Sequence, residues 1–293
     1  MAKSLDTRIL DLYESLSPRE QALADVVLEH QRDLASYSAT ELARRAGVSK
    51  ATAARLFKRL GYLNFNEARR QSRSLKHWGS PLNTLSDAPD ISKVDTTLLT
   101  HLNNDLSNVT RTFEALRSEV VGAAVEALAD ADTVWILGLR NGYSMAHYAR
   151  FLLTILKPRV RLVPVGGLSF AEEVVDMSPG DVLLVLGFRR RPRILRALME
   201  TAQKAGLKVI LLTDLSASIT PRHADIVLRC HSRGLYFVDS YTAAMSLLNY
   251  LASALALRLG EGGRARIEQI DDLHDALDVF TAMPKFDEAQ PKA

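Results

Sequence analysis

Over the first 77 positions apolar residues recur three and four apart, the spacing of helices with one buried face. Leu5, Ile9, Leu12, Tyr13 and Leu16 form one such stripe and predict a helix over 5–15. Ser17-Pro18 supplies a cap oxygen and a first-turn proline for a second helix, with Ala22, Leu23, Val26 and Val27 as its core face. Residues 38–61 predict two short helices around a tight turn. Ser38 and Glu41 have capping-box spacing, and Leu42, Ala43 and Ala46 make a small apolar face. Gly47 suits the left-handed position that ends this helix, Ser49 caps the next, and Gly61 stops it. In that next helix Ala53, Leu56, Phe57 and Leu60 form the buried stripe. A fifth helix should reach about Lys76, with Tyr62, Leu63 and Phe65 packed under its predecessor.

The pattern then changes. Residues 78–95, with Trp-Gly-Ser-Pro, Asp-Ala-Pro-Asp and few large apolar side chains, read as a linker. Helical stretches follow at 96–117 and 119–129. From Asp132 short β-branched runs appear at 133–138, 160–165, 181–187, 207–213 and 224–229. Helical segments at 144–156, 168–175, 192–205 and 240–258 alternate with them. Strands apolar on both faces and separated by helices predict a doubly wound parallel sheet, whose carboxyl edge is where ligands sit. A last helix over 262–280, with Ile267, Ile270, Leu273 and Leu277 on one face, precedes a polar tail. The expected divisions are an all-α domain at 1–77, a linker at 78–95, an α/β domain at 96–283 and a tail at 284–293.

Charge separates the two domains further. Residues 1–80 hold 14 Lys/Arg against 9 Asp/Glu, a net of +5, while residues 81–293 hold 23 against 25. Between Leu42 and Ser80, ten Lys/Arg stand against one acid, Glu67. Such a local excess is what binding to a phosphate backbone requires. A short helix, a glycine turn and a basic second helix is the helix-turn-helix arrangement, whose second helix enters the major groove of duplex DNA. Ser49, Lys50, Thr52, Ala53 and Arg55 are then the candidate base readers, and Arg44, Arg45, Lys58 and Arg59 the candidate phosphate contacts. The plainer alternative is a helical hairpin with a solvated charged face.

Cys230 is the one cysteine, so no intrachain disulfide forms, which fits a reducing cytoplasm. The start, Met-Ala-Lys-Ser-Leu-Asp-Thr-Arg, lacks the apolar run of a secretion signal. No charge-free apolar stretch reaches the roughly 18 residues of a membrane span. The histidines are scattered, and adjacent Cys230 and His231 would point to opposite faces of a strand, so no metal or cofactor is expected.

These pieces in this order resemble the RpiR (MurR/RpiR) family of bacterial transcription regulators, in which a helix-turn-helix domain precedes a SIS (sugar isomerase) domain. The most specific stretch is Leu-Ala-Arg-Arg-Ala-Gly-Val-Ser-Lys-Ala-Thr-Ala-Ala-Arg-Leu-Phe-Lys-Arg-Leu-Gly-Tyr at 42–62. The Ala224-Asp225 strand, followed by Asp239-Ser240 and a long helix, fits a SIS domain. The resemblance implies a dimer or tetramer that binds operator DNA and senses a small metabolite, usually a phosphosugar.

The expected sensing loops depart from that pattern. The family's first loop usually reads Gly-x-Gly-x-Ser; Gly138-Leu139-Arg140-Asn141-Gly142 puts Arg at the second glycine and Gly at the serine, with Ser144 the next hydroxyl. The second loop, usually of Ser-x-Ser-Gly-x-Thr type, is Gly187-Phe188-Arg189-Arg190-Arg191-Pro192 and carries no hydroxyl. Arginines at 140, 189, 190 and 191 favour an anion through bidentate pairing. The candidate effector site is therefore Gly138, Arg140, Asn141, Gly142, Ser144, Gly187, Arg189, Arg190 and Arg191, taking a sugar acid, another carboxylate or a phosphosugar. Alternatively the arginines are solvated or pair with acids across a subunit interface. A SIS domain is also compatible with an aldose–ketose phosphosugar isomerase, for which Glu172, Glu173 and more weakly His223 are the candidate bases.

Overall fold

The computed structural model describes residues 5–29, 34, 37–74, 98–189, 191–217, 220–235 and 238–277. The expected linker, the polar tail and Arg190 lie outside the described residues.

The head is α1 (Leu5–Leu12), a single 3-10 turn at Tyr13–Ser15, α2 (Pro18–Glu29), α3 (Ala39–Arg45), α4 (Lys50–Arg59) and α5 (Phe65–Ser74). The sequence signals act as expected at its helix starts. The Ser38 hydroxyl accepts from Glu41 N while the Glu41 carboxylate takes Ser38 N, closing a capping box. The Ser49 hydroxyl accepts from Thr52 N at 3.1 Å, and Gly47 and Gly61 sit at φ 66° and 80°. Leu5, Ile9, Leu23, Val27, Leu42, Leu56 and Phe57 form a continuous core, and Phe57 meets Phe65 edge to face at 5.1 Å. Tyr62 and Phe65 are buried there as expected, but Leu63 is 80% exposed and points away from it.

The body is an α/β sandwich of layers. It begins with α6 (Leu98–Ala115) and α7 (Ser118–Asp130). Strands β1 (Val134–Gly138), β2 (Val160–Val163), β3 (Val182–Gly187), β4 (Lys208–Asp214) and β5 (Ile226–Cys230) pair in parallel in the order β2-β1-β3-β4-β5. Between and after them run α8 (Asn141–Leu156), α9 (Phe170–Val174), α10 (Arg193–Lys204), α11 (Thr242–Leu259) and α12 (Glu261–Ala276). Successive strand residues point to opposite faces. Ile136, Leu184, Leu186, Leu212 and Leu228 pack with α7, α8 and α11, whereas Trp135, Leu183, Val185, Val209 and Leu211 pack with α10. α11 is long and apolar enough to cross a membrane, yet seven of its residues are buried, five of them in the first of these cores. The strand order reverses direction at β1/β3, the kind of switch point at whose carboxyl edge ligands bind in open α/β sheets.

Candidate nucleic-acid interface and sensing edge

Helix α4 presents a small, basic outer surface. Lys50, Ala51, Ala54, Arg55 and Lys58 are exposed, while Ala53, Leu56 and Phe57 face the core. Two of the expected base readers are on that inner side. Thr52 and Ala53 are 4% and 1% exposed, and the Thr52 hydroxyl shares a hydrogen bond with Ser49 at 3.0 Å. Their side chains help to seat the helix and are not presented to a groove. Ser49 is exposed but its oxygen is committed to the cap.

Two arginines fix how α4 is held. Arg8 of α1 donates to the carbonyls of Leu60 and Gly61 at 2.8 and 3.1 Å and lies over the Tyr62 ring, closing the C-terminal end of the helix. Arg59, expected at a phosphate, instead reaches back to Glu20 at 3.2 Å and to Ser15 O at 2.7 Å, tying α4 to α2. On α3, Arg45 stacks over Tyr37 at 4.7 Å, and Arg44 is exposed. The cations left facing outward on the two helices include Arg44, Arg45, Lys50, Arg55 and Lys58.

At the other candidate site the structure brings the two predicted loops side by side. Gly138 and Gly142 are there for space: a Cβ on Gly138 would collide with the carbonyl of Gly142, and one on Gly142 with the carbonyl of Leu186 in β3. α8 therefore starts pressed between two strand ends. Arg140 turns the chain at φ 57° and ψ −123°, and Gly142 N closes the turn on Leu139 O at 3.0 Å. An L-residue is strained by about 1–3 kcal/mol in such a conformation. Asn141 donates to the Tyr241 hydroxyl at 3.2 Å, and Ser144 is exposed on the first turn of α8. Burial pushes the Tyr241 phenol above its ordinary range.

Arg189 and Arg191, beyond β3, are paired with acids of their own chain. Arg191 is nearly enclosed; its guanidinium reaches Asp214 at 3.3 Å, Ser216 Oγ at 3.1 Å, Thr213 Oγ1 at 3.4 Å and Gly187 O at 3.3 Å. Asp214 itself is only 4% exposed and also accepts from Ser216 N. Arg191, expected to meet the effector, is thus built into the fold as a strut between β3 and β4. Arg189 is more open and pairs with Asp239 at 3.4 Å. Asp214, Ser216, Asp239 and Tyr241 belong to this edge and were not among the expected site residues. Among the described residues no cluster of His, Cys, Asp or Glu is arranged to hold a metal ion.

The carboxylates considered as catalytic bases are occupied elsewhere. Glu172 accepts from Ser169 N at 2.7 Å as the cap of α9, and Glu173 accepts from Val165 N and Gly166 N. His223 lies 3.6 Å from Glu200.

Comparison with known proteins fits this architecture. The model of the helix-turn-helix domain of the rpiR family matches residues 3–72, and the SIS domain model matches residues 127–254. The chain joins a helix-turn-helix domain of the rpiR family to a SIS domain. The sugar isomerase domain of an RpiR transcription factor from Sphaerobacter thermophilus superposes with a TM-score of 0.56 at 27% identity, covering 59% of this chain and 97% of that one. The NanR protein of Vibrio vulnificus, complexed with ManNAc-6P, shares the fold over 94% of this chain and 99% of its own, with a TM-score of 0.57 at 18% identity. Bifunctional protein glk of Burkholderia thailandensis is 27% identical over 228 residues, 73% of this chain. The chain spans about a third of the length of those glk relatives.

Proposed function

We propose that the chain is a cytoplasmic regulator that binds operator DNA through α3 and α4 and alters that binding when a small anionic metabolite enters the β1/β3 edge. The observation that carries the DNA half is the outer face of α4, where three exposed cations flank two exposed alanines. Alanines let the helix axis approach the base edges, and cations on either side meet phosphates or guanine. Lys50 and Arg55 are the proposed base readers, and Arg44, Arg45 and Lys58 the proposed phosphate contacts.

Arg140, Asn141, Ser144 and Arg189 supply the exposed polar groups of the proposed effector site, while Gly138, Gly142 and Gly187 shape it. An incoming anion has to compete with Asp239 for Arg189. The same carboxylate can accept a hydroxyl, so the ligand that fits is an anion that also carries hydroxyl groups: a phosphosugar or a sugar acid. The ManNAc-6P bound by NanR is of that class. The capping and loop bonds of Glu172 and Glu173 support sensing over isomerisation, because both carboxylates already hold backbone amides.

Self-association is part of the proposal. α6 carries Leu99, Leu102, Leu106, Val109 and Phe113 at alternating spacings of three and four, a coiled-coil seam, and the four large members other than Val109 are exposed. Its polar residues face inward instead: Asn104 and Asn108 bond Arg233 O, and Thr112 is buried.

The test is thermal stability of the chain with ManNAc-6P, glucose 6-phosphate and gluconate, in parallel with Arg189→Ala. Stabilisation by one of the three, lost in the variant, is expected. Equal melting temperatures with and without every anion would sink the sensing half of the proposal.

A further inference from the structure

Among the described residues an ion pair joins the head to the body, and it is wired to the sensing edge. Arg233, just beyond β5, reaches Asp11 of α1 at 2.7 Å. The backbone of the same residue is held from the other side, its carbonyl accepting from Asn104 at 2.9 Å and Asn108 at 2.8 Å in α6. A longer-range attraction lies beside it. Tyr13 donates to the Asp25 carboxylate at 2.6 Å, and the positive charges of Arg229 in β5, Arg222 and Arg191 oppose the effect of burial on Asp25. α1 and α2 thus set Asp11 and Asp25 against Arg233 and Arg229 of the body.

Each of those arginines is a short chain of bonds from the β1/β3 edge. From Arg189 the path runs to Asp239, at the end of the segment joining β5 to α11. That segment is closed on itself by Ser240 N donating to Ser232 O at 3.0 Å, and it carries Arg233. It is pinned at the same end by Tyr241, which takes the Asn141 amide and packs edge to face on Phe188 at 5.2 Å. Thr242 then donates to Asp105 of α6 at 2.9 Å. From Arg191 a separate path runs through Asp214 and Ser216 to Ala217, whose carbonyl accepts from Arg229 at 2.9 Å. Asp239, which holds Arg189, and Arg233, which holds the head, therefore sit on the same segment between β5 and α11.

We propose that the Asp11–Arg233 ion pair, aided by the attraction between Asp25 and Arg229, forms a latch that holds the head against the body, and that an anion drawing Arg189 away from Asp239 releases it. This rests on the anion-sensing reading, but the contact is tested without any ligand. The latched and released heads are the two states that a ligand must bind unequally to act as a switch. Loss of the Arg189–Asp239 pair frees the 231–242 segment at one end, and Arg233 loses its fixed position opposite α1. The latch carries information because Arg233 is exposed and gains little by itself; its value depends on the segment that presents it.

Spin labels on cysteines at Asn66→Cys in α5 and Thr201→Cys in α10 would read the head-to-body distance by electron–electron double resonance. Both positions are exposed, native Cys230 is fully buried, and dilution with unlabelled chain keeps the distances intrachain. The labelled chain should give one narrow distance distribution. Arg233→Glu should broaden it several-fold, and adding Asp11→Arg to that variant should narrow it again. Arg189→Ala, remote from the head, should broaden it like Arg233→Glu. An unchanged distribution in Arg233→Glu, or no recovery in the swap, overturns the latch. Broadening in Arg233→Glu but not in Arg189→Ala overturns its coupling to the edge. Should Arg189→Ala loosen the head while no anion stabilises the chain, the sensing proposal fails and the latch stands.

Discussion

Arg140 holds a backbone conformation that glycine adopts freely and arginine does not. Replacing it with glycine should therefore remove strain, and Arg140→Gly is expected to unfold at higher urea by about 1–3 kcal/mol of stability. If the arginine serves the effector, the same variant should lose its stabilisation by anion. A variant no more stable than the parent would show that the turn is not strained. The sequence made this residue visible, because an arginine stands where the resembling family has glycine. It gave no sign of the partners of Arg189 and Arg191. Asp239 and Asp214 lie 50 and 23 residues further on, and only the packing of β3 beside β4 and of the α11 approach brings them in. An arginine run reads alike whether it waits for a ligand or is already neutralised by its own fold.

Helix α4 shows where local reasoning succeeded and where it slipped. The caps and the glycine stops were legible because each is a one-residue requirement. The base-reading set was drawn from nearness to the helix N-terminus, and that criterion ignores rotation about the axis. Thr52 and Ala53 are near the start yet turned inward, whereas 50, 51, 54, 55 and 58 follow one outer face. The element predicts two distinct mutant behaviours. Lys58→Ala should weaken binding to every duplex and reduce the slope of log affinity against log salt by about one. Arg55→Ala should relax discrimination at particular bases and cost about 1–3 kcal/mol on the preferred site. Competition assays with selected and scrambled duplexes at several salt concentrations separate the two, and uniform loss from both would refute the assignment of roles.

For the molecule as a whole, the two-domain plan and the doubly wound sheet were readable from the switch in apolar period and from the charge asymmetry. What periodicity could not show is which side of a helix is covered by its own chain. α6 turns its asparagines and a threonine toward the body and leaves its leucines outside, the reverse of an ordinary surface helix. Sedimentation of the intact chain should give a dimer, and Leu102→Lys with Leu106→Lys should shift it toward monomer. Ser107→Lys with Glu114→Lys, exposed positions off the seam, should leave the dimer in place. A seam variant as massive as the parent would rule out α6 as the self-association surface.

Gly142 carries a consequence of another kind. Its missing side chain is what lets α8 begin against the Leu186 carbonyl, at the position where the resembling family's loop carries a serine. A serine there would have to push α8 and β3 apart. The loop cannot be converted to the hydroxyl-bearing form by a single substitution; the route back requires moving a helix first. Anyone seeking to retune the specificity of this edge by design has to start from the arginines that are present, because the lost hydroxyl is walled off by the backbone itself.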